Sequence, residues 1–329
     1  MKDRDLVISL KTIFITILAF FLLWLFWLIK DVLMYLFIAM ILALALEPFV
    51  DALVRKKIPK GVAVVLVALA FIVVIGGLGS VALTPFIQQS RVLMSNFPSY
   101  VQRLSEIPGV GDYFNKLNES LLNQISATGE NVISVTIGAF SGVLSAVVVL
   151  VFTIYILLDF NNIRLMFVNL FPKDRRSEVQ QVVNKIEFKL GGWLRGQVVL
   201  MLIIGIASYI GLIILGVDYA LALAVTAGLL EIVPIIGPII SAIPAIIVGF
   251  VISPAVGVGV LILYILIQQL ENNLIVPKVM QKAVGYNPLI TIIALMVGSQ
   301  LLGIIGAILA IPFLIIFTEV AKYILEFEV

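Results

Sequence analysis

The residues best suited to chemistry lie in Gln268-Gln269-Leu270-Glu271-Asn272-Asn273, a polar cluster that closes a long apolar run. Gln268, Glu271 and Asn272 are spaced i, i+3 and i+4, so a helix puts them on one face. Carboxamides beside a carboxylate suit a hydroxylated solute or a cation stripped of its water, and Asn273 extends the set. The plainer reading of the same cluster is a helix end near the membrane interface. Glu231, three residues before Pro234, is the second candidate; its plainer reading is a half-helix end facing a crevice. A cation held this way would sit at Glu231 and Glu271, and no other metal site is expected. The chain contains no cysteine and no histidine. That excludes thiolate nucleophiles, iron–sulfur clusters and the usual zinc sites, and leaves proton chemistry to carboxylates, lysine and tyrosine. With no recognisable nucleophile–base pair, no phosphate-binding loop and no cofactor motif, the sequence predicts neither an enzyme nor an ATPase, and no cofactor. A formal net charge of +2 offers no surface for nucleic acid.

The elements that must position these groups belong in a bilayer. Of 329 residues, 62% are hydrophobic and 12% charged, against about 25% charged in soluble domains. Charge-free stretches cover residues 12–29, 32–46, 61–89, 132–158, 196–217, 219–230, 232–270 and 283–318. About 20 apolar residues cross a hydrocarbon core. The expected fold is therefore an all-α polytopic membrane protein with about eight hydrophobic segments. Residues 12–29 and 32–46, parted only by Lys30-Asp31, read as a tight helical hairpin. The predicted organisation is that hairpin with a cytosolic loop (1–60), a third span (61–89), extracellular amphipathic helices (90–131), a fourth span (132–158), a cytosolic amphipathic helix (159–197) and a C-terminal transport region (198–322). Pro98 is expected to open the first extracellular helix. The cytosolic helix, with Val179, Val182, Val183, Ile186, Leu190 and Trp193 at helical spacing, lies on the membrane face or packs on the bundle. Basic residues at Lys2, Arg4 and Lys11, at Arg55–Lys57, and at Lys173, Arg175 and Arg176 assign those regions, and both termini, to the cytosol.

The C-terminal region is broken by proline and glycine at Pro234, Gly237, Pro238, Pro244 and Pro277, then at Gly303, Gly306 and Pro312. Proline removes a helical hydrogen bond, and backbone freed at membrane depth must be buried in protein or face a watery cavity. Broken helices build sites in secondary transporters. Residues 235–244 (IIGPIISAIP) echo 304–312 (IIGAILAIP) with a one-residue gap. Residues 219–252 and 283–318 then read as two hairpins entered from opposite faces, an inverted repeat. Glycines such as Gly76, Gly77, Gly205 and Gly298 permit close helix approach, and spacing does not separate packing sites from hinges.

These residues resemble a known pattern. Glu47-Pro48-Phe49, Ile58-Pro59, Tyr155-x-x-x-Asp159 and Arg195-Gly196-Gln197 precede Glu231-x-x-Pro234-x-x-Gly237-Pro238, Gln268-x-x-Glu271-Asn272-x-x-x-x-Pro277, Asn287-Pro288 and Gly303-x-x-Gly306-x-x-x-Ala310-x-Pro312. Their order and spacing are similar to those of the autoinducer-2 exporter (AI-2E) family of bacterial and archaeal transporters. One departure is Lys60 after Pro59, where the family commonly carries arginine. The resemblance implies a multi-pass transporter of the cytoplasmic membrane that contacts lipid. Its cargo is a small polar solute such as autoinducer-2, or Na+ exchanged for H+. A homo-oligomer is compatible with it. A non-transporting scaffold is a third reading, which the buried prolines and polar cluster disfavour.

Overall fold

The structure, a computed structural model, describes residues 10–105, 142–280 and 287–326. Among the described residues it is helical, with no strand. Six helices are long and apolar enough to cross a membrane, and two shorter apolar helices accompany them. The protein is an all-α polytopic membrane protein.

The first helix corrects the sequence reading. α1 (Leu10–Arg55) runs unbroken through Lys30-Asp31, so the 12–29/32–46 hairpin does not form. No glycine or proline accompanies the pair to turn the chain, and Lys30 Nζ rests 3.9 Å from the centroid of the Trp27 ring, one turn back on the helix. α2 (Lys60–Ser105) follows a short turn in which Lys57 takes φ 66°. It continues beyond residue 89, so Pro98 lies inside α2 instead of opening a new helix. The rest of the predicted extracellular region, 106–131, lies outside the described residues, as does 132–141 of the fourth span.

α3 (Val143–Asn169) carries a kink at Asp159 (φ −109°, ψ 17°). α4 (Arg176–Ile214) fuses the predicted cytosolic amphipathic helix with the next span into one rod. At about 1.5 Å per residue, its 39 residues are far longer than a hydrocarbon core. Val179, Leu190 and Trp193 are buried against neighbours, so this segment packs on the bundle and does not lie on a membrane face. Ion pairs gather the ends of four helices there. Arg164 of α3 bridges Glu187 of α4 at 2.5 Å and Glu47 of α1 at 3.9 Å. Lys189 of α4 reaches Glu319 at 2.6 Å.

Pro48 shows how a proline break is repaired. It lacks the N–H that would bond the Leu44 carbonyl. Arg195 of α4 donates instead, from Nη1 to the Leu44 carbonyl at 3.0 Å and the Ala45 carbonyl at 3.2 Å. Gly191 makes room, since any side chain there would overlap the Leu44 carbonyl. Arg195→Ala is therefore expected to cost about 1–3 kcal/mol, the penalty for a buried carbonyl left without a donor. Thermal unfolding in detergent checks this, with Arg195→Lys recovering part of the loss.

α5 (Ala220–Leu230) and α6 (Ile236–Ile252) are short and fold back on one another. α7 (Pro254–Leu270) starts at Ser253, whose hydroxyl accepts from the Val256 N–H at 3.2 Å. It leads into a π-helical turn at Glu271–Ile275 and into α8 (Val276–Val279). Pro277 has no N–H to return to the Asn273 carbonyl, which loosens the coil where the wide turn sits. The final helix, α9 (Pro288–Glu326), is itself a hairpin. Its backbone leaves the helical region at Leu302 (φ −132°) and Gly303 (φ 62°, ψ −142°). The backbones of Gly298 and Gly306 then touch, although a straight helix would hold residues that far apart by about 12 Å.

The two hairpins enter from opposite ends of the bundle. α5–α6 packs on the far half of α2, whose Gln89 Oε1 accepts the Ala222 N–H at 3.1 Å. α9 returns to the ion-pair end through Lys189–Glu319 and through Tyr323, which donates to Glu178 at 3.4 Å. Two apolar cores result. One joins α1–α4 with α8 and α9; the other joins α4–α7 with Leu93 of α2.

Candidate functional site

Three segments bring the sequence-predicted carboxylates together. The chain turns over residues 231–235 between α5 and α6, and Ile235 there adopts φ 70°. A β-branched residue in that region is strained by about 1–3 kcal/mol. Gly237 lies on the Leu230 carbonyl, a contact that no side chain could replace. This tight fold-back drives Glu231 into the protein, where it is 1% exposed. From α4, Gln197 donates its Nε2 to the Glu231 backbone carbonyl.

Glu271 arrives from the π-helical turn and is 5% exposed. Gln268 Nε2 donates to Glu271 Oε2 at 3.1 Å and more weakly to Asn272 Oδ1 at 3.5 Å. The Glu231 and Glu271 side chains lie near one another on the same cavity wall. Two carboxylates close together in a buried site repel one another, and a shared proton or a bound cation relieves that repulsion. Two acceptor oxygens beside the pair are buried with no hydrogen-bond partner: Glu231 Oε2 and Gln197 Oε1.

A cavity of about 380 Å³ opens against this pair. Its walls are Trp193, Gln197 and Leu200 of α4, the Glu231–Ile235 turn, Gln268, Glu271 and Asn272, and Pro288, Thr291 and Ile311 of α9. Mostly apolar walls with a few convergent polar groups are the usual make-up of a small-molecule site.

The predicted residues separate into two groups. Gln268, Glu231, Glu271, Asn272 and Pro234 line the cavity. Asn273 does not; it is exposed and turns its amide back to the Gln269 carbonyl at 2.9 Å. Gly237, Pro238, Pro244 and Pro277 shape the segments behind the lining. Gly303, Gly306 and Pro312 shape the α9 hairpin, whose tip stays away from the cavity while its two arms contribute Thr291 and Ile311. Sequence reasoning passed over Gln197 and Thr291 as site residues. Gln197 carried a signal: it lies four residues past Trp193, on the apolar face of the helix, where a carboxamide needs a partner.

Fold and site together define a polytopic helical membrane protein with a polar centre buried beneath broken helices. The chain belongs to the AI-2E transport family, whose model, described as AI-2E family transporter, matches residues 13–326. It is 31% identical over 296 residues to YueF of Bacillus subtilis (strain 168), provisionally named a transport protein, covering 84% of this chain and 79% of that one. It is 25% identical over 317 residues to YrrI of the same organism, likewise provisionally named, covering 91% and 90%. A protein of Halobacillus andaensis named a sodium-lithium/proton antiporter is 26% identical over 310 residues, covering 87% and 88%.

Proposed function

We propose that this chain is a proton-coupled secondary transporter of the cytoplasmic membrane that exports a small polar solute of the autoinducer-2 kind. Proton and cargo compete for the Glu231–Glu271 centre. The observation that carries this reading is the pair of buried carboxyl groups set together at the wall of a cavity of about 380 Å³. Loaded with one proton the pair carries a single negative charge shared between the two carboxyl groups. Cargo hydroxyls entering from the cavity compete for the same oxygens, with Gln268, Asn272 and Gln197 orienting them. Binding energy spent on separating the pair then releases the proton, which is the coupling step.

A second reading is exchange of Na+ or Li+ for H+ at the same centre. It is favoured by the unpartnered oxygens of Glu231 and Gln197, which can accept but not donate, and by the name of the Halobacillus relative. Those oxygens, with Glu271, would replace the water of a small monovalent cation.

On this reading the Lys56-Lys57 turn, residues 170–175 and the Lys322 end of α9 face the cytosol, where basic residues concentrate. The apolar outer faces of the helices contact lipid, and self-association is compatible with them.

Purified protein in liposomes with a trapped pH dye tests the proposal. Proton movement on adding autoinducer-2 supports the solute reading. Movement on adding NaCl or LiCl supports the cation reading. Silence with all three removes transport and leaves the scaffold.

A further inference from the structure

The cavity against the Glu231–Glu271 pair is lined on one side by Met280 and Pro288. On the other side, toward residues 215–219, the apolar core of α4–α7 separates the pair from solvent. A proton-coupled transporter exchanges its proton with both sides of the membrane, either by reorienting the site or by a route through this core. Two hydroxyls interrupt it. Ser208 of α4 (0% exposed) and Tyr264 of α7 (9% exposed) face one another, yet neither hydroxyl has a hydrogen-bond partner of normal geometry. Together with the Gln197 and Glu231 oxygens, these are the buried side-chain polar atoms left unpartnered among the described residues.

Their placement along the helices is directional. Tyr264 precedes Glu271 by seven residues, two turns on the same face of α7, or roughly 10 Å. Ser208 follows Gln197 by eleven residues, three turns on the same face of α4, or roughly 16 Å. The hydroxyls therefore stand directly above the carboxyl pair on the blocked side. Tyrosine and serine are also the side chains that can pass a proton while staying neutral, because each both donates and accepts. Orphaned buried hydroxyls call for a water or a transient partner. The hydroxyls of α5 and α6 are engaged: Thr226 with the Ala222 carbonyl at 2.7 Å and Ser241 with the Pro238 carbonyl at 3.0 Å.

We propose that Ser208 and Tyr264 form a proton relay between the 215–219 end of the protein and the Glu231–Glu271 centre, bridged by water. Each hydroxyl accepts a proton from the water on one side and gives its own to the water on the other. The net result is one proton moved and no side chain left charged. The inference rests on the proposed proton coupling.

The test uses the full chain in liposomes with a trapped pH dye, comparing wild type, Tyr264→Phe and Ser208→Ala, each pulsed with NaCl and separately with autoinducer-2. Gel filtration and thermal unfolding confirm that the variants are folded. Tyr264→Phe lowers proton flux by about 10-fold or more, and Ser208→Ala by about 3-fold, as loss of a proton-transfer group should. One-for-one exchange of labelled probe at equal concentrations needs no net proton transfer and stays within about two-fold of wild type. The flux of Tyr264→Phe also shifts in its dependence on pH at the 215–219 side alone. Wild-type proton flux in Tyr264→Phe overturns the relay, as does an equal fall in flux and exchange, which marks a structural role. A wild type silent with both probes removes the proton coupling itself, and the relay with it.

Discussion

Glu271→Gln lowers proton-coupled flux by about 100-fold or more, the usual scale for removing a group that carries the transferred proton. The substitution keeps shape and hydrogen-bonding capacity but removes the site where a proton can be exchanged. Gln268 still finds an oxygen at the position it now bonds at 3.1 Å, so the fold around the π-helical turn persists. Glu231→Gln has the same effect, because the pair titrates as a unit and losing either member ends the competition between proton and cargo. The double variant is consequently no worse than either single one, a strong departure from additivity for two neighbouring groups. Asn273→Ala is the internal control. It belongs to the same polar run in the sequence, but its amide serves the Gln269 backbone carbonyl, so flux stays within a few-fold of wild type. Flux assays on these four variants, each checked for folding, measure the prediction.

Gly237→Val and Gly306→Val are expected to cost about 3 kcal/mol or more and to abolish monodisperse protein in detergent. At Gly237 a new Cβ would overlap the Leu230 carbonyl, and at Gly306 the Gly298 carbonyl. In each case the obstacle is backbone that cannot swing aside, so the hairpin must open. An opened α5–α6 hairpin also withdraws Glu231 from Glu271. Gly76→Ala and Gly77→Ala provide the contrast. A side chain at either glycine meets nothing within 4 Å, and alanine favours a helix over glycine by up to about 1 kcal/mol. Thermal unfolding and size-exclusion profiles separate the two classes.

That contrast also marks what was legible in the sequence. Glycine spacing alone could not sort packing sites from hinges, because Gly76 and Gly306 look alike until the chain they face is known. The internal echo proved more informative. Ile235-Ile236-Gly237 begins at a positive-φ residue and Ile304-Ile305-Gly306 follows one, Gly303, and the third residue of each rests on a backbone carbonyl of the preceding arm. The repeated letters thus encode one local device used twice. Charge patterning failed at Lys30-Asp31, since two adjacent charges are a polar interruption but not a turn, and the helix absorbs them. The same limit applies at residues 176–195, where amphipathic spacing signals a buried stripe without saying where the helix ends. Glu231 and Glu271 stood out because carboxylates are scarce in this region. Their proximity did not, because it depends on a turn that folds α5 back toward α7. Gln197 was overlooked as a neutral residue in a span, although its buried amide is what holds the Glu231 turn in place.

The central claim is that the Glu231–Glu271 pair holds a proton that cargo displaces. Proton release measures this without any membrane. Wild-type protein in weakly buffered detergent solution, titrated with autoinducer-2 and separately with NaCl, should release up to about one proton per chain with the true cargo. The Glu231→Gln/Glu271→Gln variant should release none. Equal release from both proteins would show that the proton resides elsewhere and would contradict the account.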